Sequence, residues 1–89
     1  MRTVAKPVKA VALFWPDRRP RPYKFKIPDS NGEEVTVTVD NVLGYKYSRI
    51  AGIECIIFEC RSTFGNIKRR YQMKYLIKEC KWELFKIYD

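Results

Sequence analysis

The chain of 89 residues contains no histidine. That absence removes the commonest general base and rules out every Ser-His-Asp or Cys-His nucleophilic arrangement. Glycine is scarce, and Gly32, Gly44, Gly52 and Gly65 stand far apart, so no glycine-rich phosphate loop can form. Long apolar stretches are missing as well. The run Ala10–Trp15 is six residues, short of a signal peptide's apolar region and far below the roughly 20 residues that cross a bilayer. Arginines and prolines follow it without a small-residue cleavage site, so the expectation is a cytoplasmic protein with no membrane partner.

Cysteine is limited to Cys55, Cys60 and Cys80. An odd number without regular spacing does not make a disulfide framework and fits a reducing compartment. Cys55 and Cys60 would lie on opposite faces of one strand, with Cα atoms roughly 16 Å apart at the strand rise. That exceeds disulfide reach, and no close cysteine pair offers a zinc site. Both read as small core hydrophobes. No metal or other cofactor is expected. Ser48, Lys46 and Cys80 are lone nucleophile types without a partner base, and a non-enzymatic role is expected.

Apolar residues make up 46% of the chain and charged residues 31%, a composition that folds and does not stay disordered. The length suits one domain, residues 1–89. Helical periodicity is hard to find, while β-branched and aromatic runs recur between turn signals. Strands are expected near Val8–Trp15, Tyr23–Ile27, Glu34–Val39, Ile53–Arg61, Lys68–Lys78 and Lys81–Tyr88. Asp40–Gly52 reads either as a further strand through Tyr45 and Tyr47 or as a short helical turn. Six mostly antiparallel strands with little or no helix favour closure into a small all-β barrel or roll, comparable at class level to SH3-like or OB-like barrels.

Parity predicts two hairpin registers. Tyr23, Phe25 and Ile27 alternate with lysines, and Val35, Val37 and Val39 alternate with threonines. A two-residue turn at Asn31-Gly32 would put these apolar sets on opposite faces. A five-residue loop, Asp29–Glu33, pairs Ile27 with Val35 and Phe25 with Val37. For the second hairpin a four-residue loop at Thr63–Asn66 sets Phe58 opposite Tyr71 and Ile56 opposite Met73. Ile56, Phe58, Tyr71, Met73 and Tyr75 then share an apolar face. Tyr23, Phe25, Phe58, Tyr71 and Tyr75 are expected in the core. Trp15, Phe64 and either Tyr45 or Tyr47 border loops and are expected to be exposed.

The formal net charge is +8, and two segments hold all of the excess. Trp15–Lys26 has five basic residues and one acid; Asn66–Lys81 has six and one. Arg18, Arg19 and Arg21 are expected in a loop stiffened by Pro16, Pro20 and Pro22, with Lys24 and Lys26 on the adjoining solvent face. Together with Lys74 and Lys78 they form a candidate surface for a polyanion, most naturally RNA or DNA bound with low sequence specificity. No nucleic-acid motif accompanies them. The alternative is a protein-interaction module or homodimer, in which Ile53, Cys55, Ile57 and Leu76 form an apolar outer face and the charge serves solubility. A terminal strand packed over those four residues would remove that motive.

Overall fold

The computed structural model describes residues 1–88. They form seven antiparallel strands: β1 (Arg2–Trp15), β2 (Arg18–Pro28), β3 (Glu34–Thr38), β4 (Asn41–Ile50), β5 (Ile53–Phe64), β6 (Ile67–Leu76) and β7 (Lys81–Ile87). No helix occurs among these residues. The strands make one sheet in the order β3-β2-β1-β7-β6-β5-β4, curled into a half-barrel. The all-β expectation holds, with seven strands in place of six. The seventh is β4, so Asp40–Gly52 is neither a helical turn nor a loop. Its turn to β5 has two central residues, Ala51 at φ 52° and Gly52 at φ 81°. Positive φ at both is what a type I′ hairpin turn requires. An alanine there costs about 1–2 kcal/mol relative to glycine, which explains why no sequence signal announced the turn.

The β2–β3 hairpin has the expected register: Ile27 opposite Val35, Phe25 opposite Val37 and Lys26 opposite Thr36. Asp29 organises the loop. Its Oδ1 accepts from the backbone N–H groups of Asn31 and Glu33, both at 2.9 Å. The β5–β6 hairpin differs from expectation by two residues. Its turn is the two-residue Gly65-Asn66, closed by Phe64 opposite Ile67, so that Phe58 faces Met73 and Cys60 faces Tyr71. Gly65 at φ 61° suits the first central position of a type II′ turn. A shift of two residues keeps every side chain on its own face, so the predicted apolar face survives intact.

The concave face carries the core. Phe58, Met73 and Cys60 are essentially inaccessible, with Phe25, Val37, Val39, Tyr71, Trp82 and Leu84 around them. Desolvation pushes the Cys60 thiol up to about 12. Ser62 is buried with its hydroxyl donating to the Thr38 carbonyl at 2.6 Å, and Tyr71 Oη lies 2.5 Å from the same hydroxyl. Since Ser62 has one proton and gives it to Thr38, the tyrosine donates. Burial raises the Tyr71 phenol above its ordinary value.

One corner closes the sheet. β3 and β4 occupy opposite edges, yet only Val39 and Asp40 separate them. At that corner Val39 donates its N–H to the Tyr23 carbonyl at 2.8 Å, and Asp40 donates to the Arg61 carbonyl at 3.0 Å. Thr63 N–H in turn donates to Asp40 Oδ2 at 2.9 Å. The two edges therefore meet here and separate beyond.

Candidate nucleic-acid interface

The expected loop Arg18–Pro22 is the first half of β2. Prolines usually argue against a central strand, but this half of β2 has a neighbour on one side only. β3 ends at Thr38, opposite Lys24, while β1 continues alongside as far as Trp15 opposite Arg18. Pro20 and Pro22 are buried inward, as are Phe25 and, in part, Ile27. The inward parity thus switches from even to odd between Pro22 and Phe25. The register shift at Val11/Ala12 makes the switch, because Pro22 and Lys24 face consecutive β1 residues and Tyr23 is the extra residue of a bulge. Tyr23, expected in the core, is exposed for that reason.

The bulge also decides where the cations point. Arg19 and Arg21 alternate with the buried prolines, and Lys24 and Lys26 alternate with Phe25 and Ile27. Four cations follow one another along the outward side of one strand, a row of roughly 20 Å at the strand rise. Among the described residues none of the four forms an ion pair. Arg21 Nη1 donates to the Pro22 carbonyl at 3.1 Å, and Lys24 and Lys26 sit opposite Thr38 and Thr36. Arg18 is exposed, with its Nε 3.9 Å from Asp17 Oδ1 and its guanidinium 5.2 Å from the Trp15 ring centre. Solvent screens a pair that long and that exposed.

Where β2 and β4 part, a cleft of about 240 Å³ opens, lined by Trp15, Arg18 to Arg21, Val42 and Phe58. Arg19 spans it and lays its guanidinium 3.4 Å from the ring centre of Tyr45. Tyr45 meets Tyr47 edge to face at 6.2 Å. Trp15 and Phe64 are exposed, as expected from their places near loops; of Tyr45 and Tyr47, where one is expected to be exposed, both are, on the edge strand β4.

The second basic segment has a different fate. Lys74, expected at the polyanion surface, is 8% exposed. Its ammonium lies 3.3 Å from Glu83 Oε1 and 4.1 Å from the Phe85 ring centre. It is therefore withdrawn from the candidate surface: β6 runs between β5 and β7, and its outward side chains are walled by both neighbours. Lys78 is exposed in the turn between β6 and β7. Lys68, Arg69 and Arg70 lie by the β5–β6 turn at the other end of the strand. Arg70 there approaches Glu59 at 3.7 Å. Arg69 and Arg70 line a pocket together with Phe25 and Ile27 of β2, while the continuous row of cations lies on β2 itself.

The expected apolar outer face is also corrected. Cys55 and Ile57 are 1% and 5% exposed. In the register Ile57 lies between Lys46 and Lys74, whose long side chains flank it, and no terminal strand packs over it. Leu76 is half-buried. Only Ile53, at the β4–β5 turn, is exposed. The three cysteines are free, Cys80 being the exposed one.

Among the described residues no three His, Cys, Asp or Glu side chains are placed to hold a metal ion. No helix is long and apolar enough to cross a membrane. Compared with protein-family models, curated proteins and solved structures, the chain matches none.

Proposed function

We propose that this chain is a non-enzymatic all-β module, working in the cytoplasm, that binds the backbone of a nucleic acid through β2. The observation that carries this reading is the row Arg19, Arg21, Lys24 and Lys26, exposed or half-buried on one strand and without a carboxylate partner among the described residues. Guanidinium groups grip phosphate bidentately, while lysines act as point charges. Arg18 and Lys78 extend the row at its margins, and Lys74 does not belong to it. Binding would draw on counterion release and show little sequence preference.

The alternative of a protein partner or homodimer rested on four outward apolar residues. Of those four, Cys55 and Ile57 are buried and Ile53 alone is exposed.

Fluorescence anisotropy of a labelled oligonucleotide, titrated across salt concentrations, tests the proposal. Three or four neutralised phosphates give a slope of log affinity on log salt of about −2 to −4. An affinity that ignores salt overturns the reading. So does an unchanged affinity when Arg18, Arg19 and Arg21 are all replaced by glutamate.

A further inference from the structure

The register aligns side chains in rows across the concave face. Tyr47 pairs with Ile56, Ile56 with Tyr75, Tyr75 with Trp82 and Trp82 with Val8. In the neighbouring row Tyr45 pairs with Phe58, Phe58 with Met73 and Met73 with Leu84. The middle of each row is core. Tyr75 and Trp82 stack at 4.7 Å, and Trp82 meets Phe58 at 5.6 Å. The β4 ends of the rows remain open, with Tyr45 at 45% and Tyr47 at 62% exposure.

The other side of the opening has the same character. Beyond its pairing with β7, β1 continues with β2 and bends through two register shifts. Phe14 there meets Tyr75 edge-on at 5.8 Å yet stays 62% exposed. Trp15 stands beside it at the cleft. Rings from two separated strands thus surround one opening, although a core that buries Phe58 and Trp82 is at hand.

We propose that this opening receives unpaired bases, so that the ligand of the basic strand is a single-stranded nucleic acid and not a duplex. The inference rests on the polyanion reading above and specifies the ligand's strand state. A duplex hides the faces of its bases inside the stack and offers only phosphates and groove edges. A single strand offers both phosphates and ring faces, the two things that β2 and the opening are built to meet. Tyr47 and Phe14 carry no cation over their rings among the described residues and are the free platforms. The Tyr45 face is occupied by Arg19. A base arriving there displaces the guanidinium, which then has a phosphate within reach. An apolar peptide would also suit the rings, but it has no use for the unpaired row Arg19, Arg21, Lys24 and Lys26.

The experiment compares three labelled ligands of equal length at about 0.1 M salt: oligothymidine, the corresponding duplex, and a single strand of abasic sugar-phosphate. Oligothymidine is expected to bind at least about tenfold more tightly than either of the others, as stacking of one or two bases provides. Tyr47→Ala and Phe14→Ala are each expected to weaken oligothymidine by about fivefold or more while leaving the salt slope in place. Tyr47→Phe, which keeps the ring, restores the affinity. Equal affinity for all three ligands with a steep salt slope overturns the single-strand inference and leaves the polyanion reading standing. Indifference of oligothymidine to both alanine variants does the same. Failure of all three ligands to bind overturns both.

Discussion

Strand β6 has β5 along its whole length and β7 from Tyr71 to Leu76, and two of its basic side chains find partners there: Lys74 meets Glu83 and Phe85, and Arg70 meets Glu59. Strand β2 has β1 from Arg18 to Lys26 but β3 only from Lys24 onward, and among the described residues its cations from Arg19 to Lys26 meet no carboxylate. The two segments contribute similar formal charge; in the second, residues 66–81, Lys74 alone is drawn into the packing of a sheet face, while Lys68, Arg69, Arg70, Lys78 and Lys81 stay exposed. What separates the two strands is what stands on their neighbours: Glu83 of β7 beside Lys74 and Glu59 of β5 near Arg70, against Thr38 and Thr36 of β3 beside Lys24 and Lys26. Lys24 and Lys26 have a strand on each side, as Lys74 does, but β1 and β3 set Val11, Lys9 and two threonines opposite them and no acid. Charge counted along a sequence measures supply, and strand neighbours decide how much of it remains unspent.

The comparison is broken most directly at Lys74. Lys74→Ala leaves Glu83 nearly buried without its cation, and the expected loss is about 2–4 kcal/mol of unfolding free energy in urea, with oligonucleotide affinity unchanged. If affinity falls and stability does not, the distinction between the two strands is wrong. The triple change of Arg18, Arg19 and Arg21 to glutamate is the converse. It should weaken oligonucleotide binding about a hundredfold at low salt and reduce the salt slope by about two. Its unfolding free energy should fall by less than that of Lys74→Ala, since Arg18 is exposed and the half-buried Arg19 and Arg21 leave no carboxylate unpaired.

Two smaller effects sharpen the contrast. Ser62→Ala removes the acceptor of Tyr71 and the donor to Thr38 at the closing corner, and should cost about 1–2 kcal/mol. Since the corner is where β2 loses β3, the same variant tests whether the half-flanked edge depends on it: chymotrypsin cleavage after Tyr23 should quicken. The last effect is confined to alkaline pH. The Cys60 thiol is raised to about 12 by burial, so it stays protonated in the folded state and ionises near its ordinary value of 9 once unfolded. Between those limits the unfolded chain binds fewer protons, and stability falls as pH rises. Its contribution is complete below pH 9 and lost through the window up to about 12. Cys60→Ala should flatten that part of the urea-midpoint profile without changing the affinity of β2.

How far the fold was legible follows from what each error would have cost. In the β2–β3 hairpin, a slip of one residue exposes Phe25, Ile27 and Val37 together, so alternation alone specified the register. In the β5–β6 hairpin, a slip of two residues left Phe58, Tyr71 and Met73 on the core face, and parity could not see it. Choosing Gly65-Asn66 over a four-residue loop needed the turn geometry. β4 was ambiguous because it is an edge strand whose Tyr45 and Tyr47 are exposed although they lie on the core face. Part of the site was readable in the same way: exposure of Trp15 and of one of the pair Tyr45 and Tyr47 followed from neighbouring loops. The bulge at Tyr23 was not, since the lysine-aromatic alternation continues through it unbroken. Nor was the burial of Lys74, whose partner Glu83 comes from the adjacent strand β7.

The pairing of β1 with β7 at the middle of the sheet has a temporal consequence. A chain emerging from the ribosome can form the β2–β3 and β5–β6 hairpins as local units, but the seam that unites the two halves waits for β7. The β7-facing part of β1, Arg2–Val8, must stay unpaired on that side until β7 has been made. Contacts of such long sequence separation make folding slow, and the exposed flank of β1 is the place where a nascent or heat-shocked molecule would meet another copy of itself.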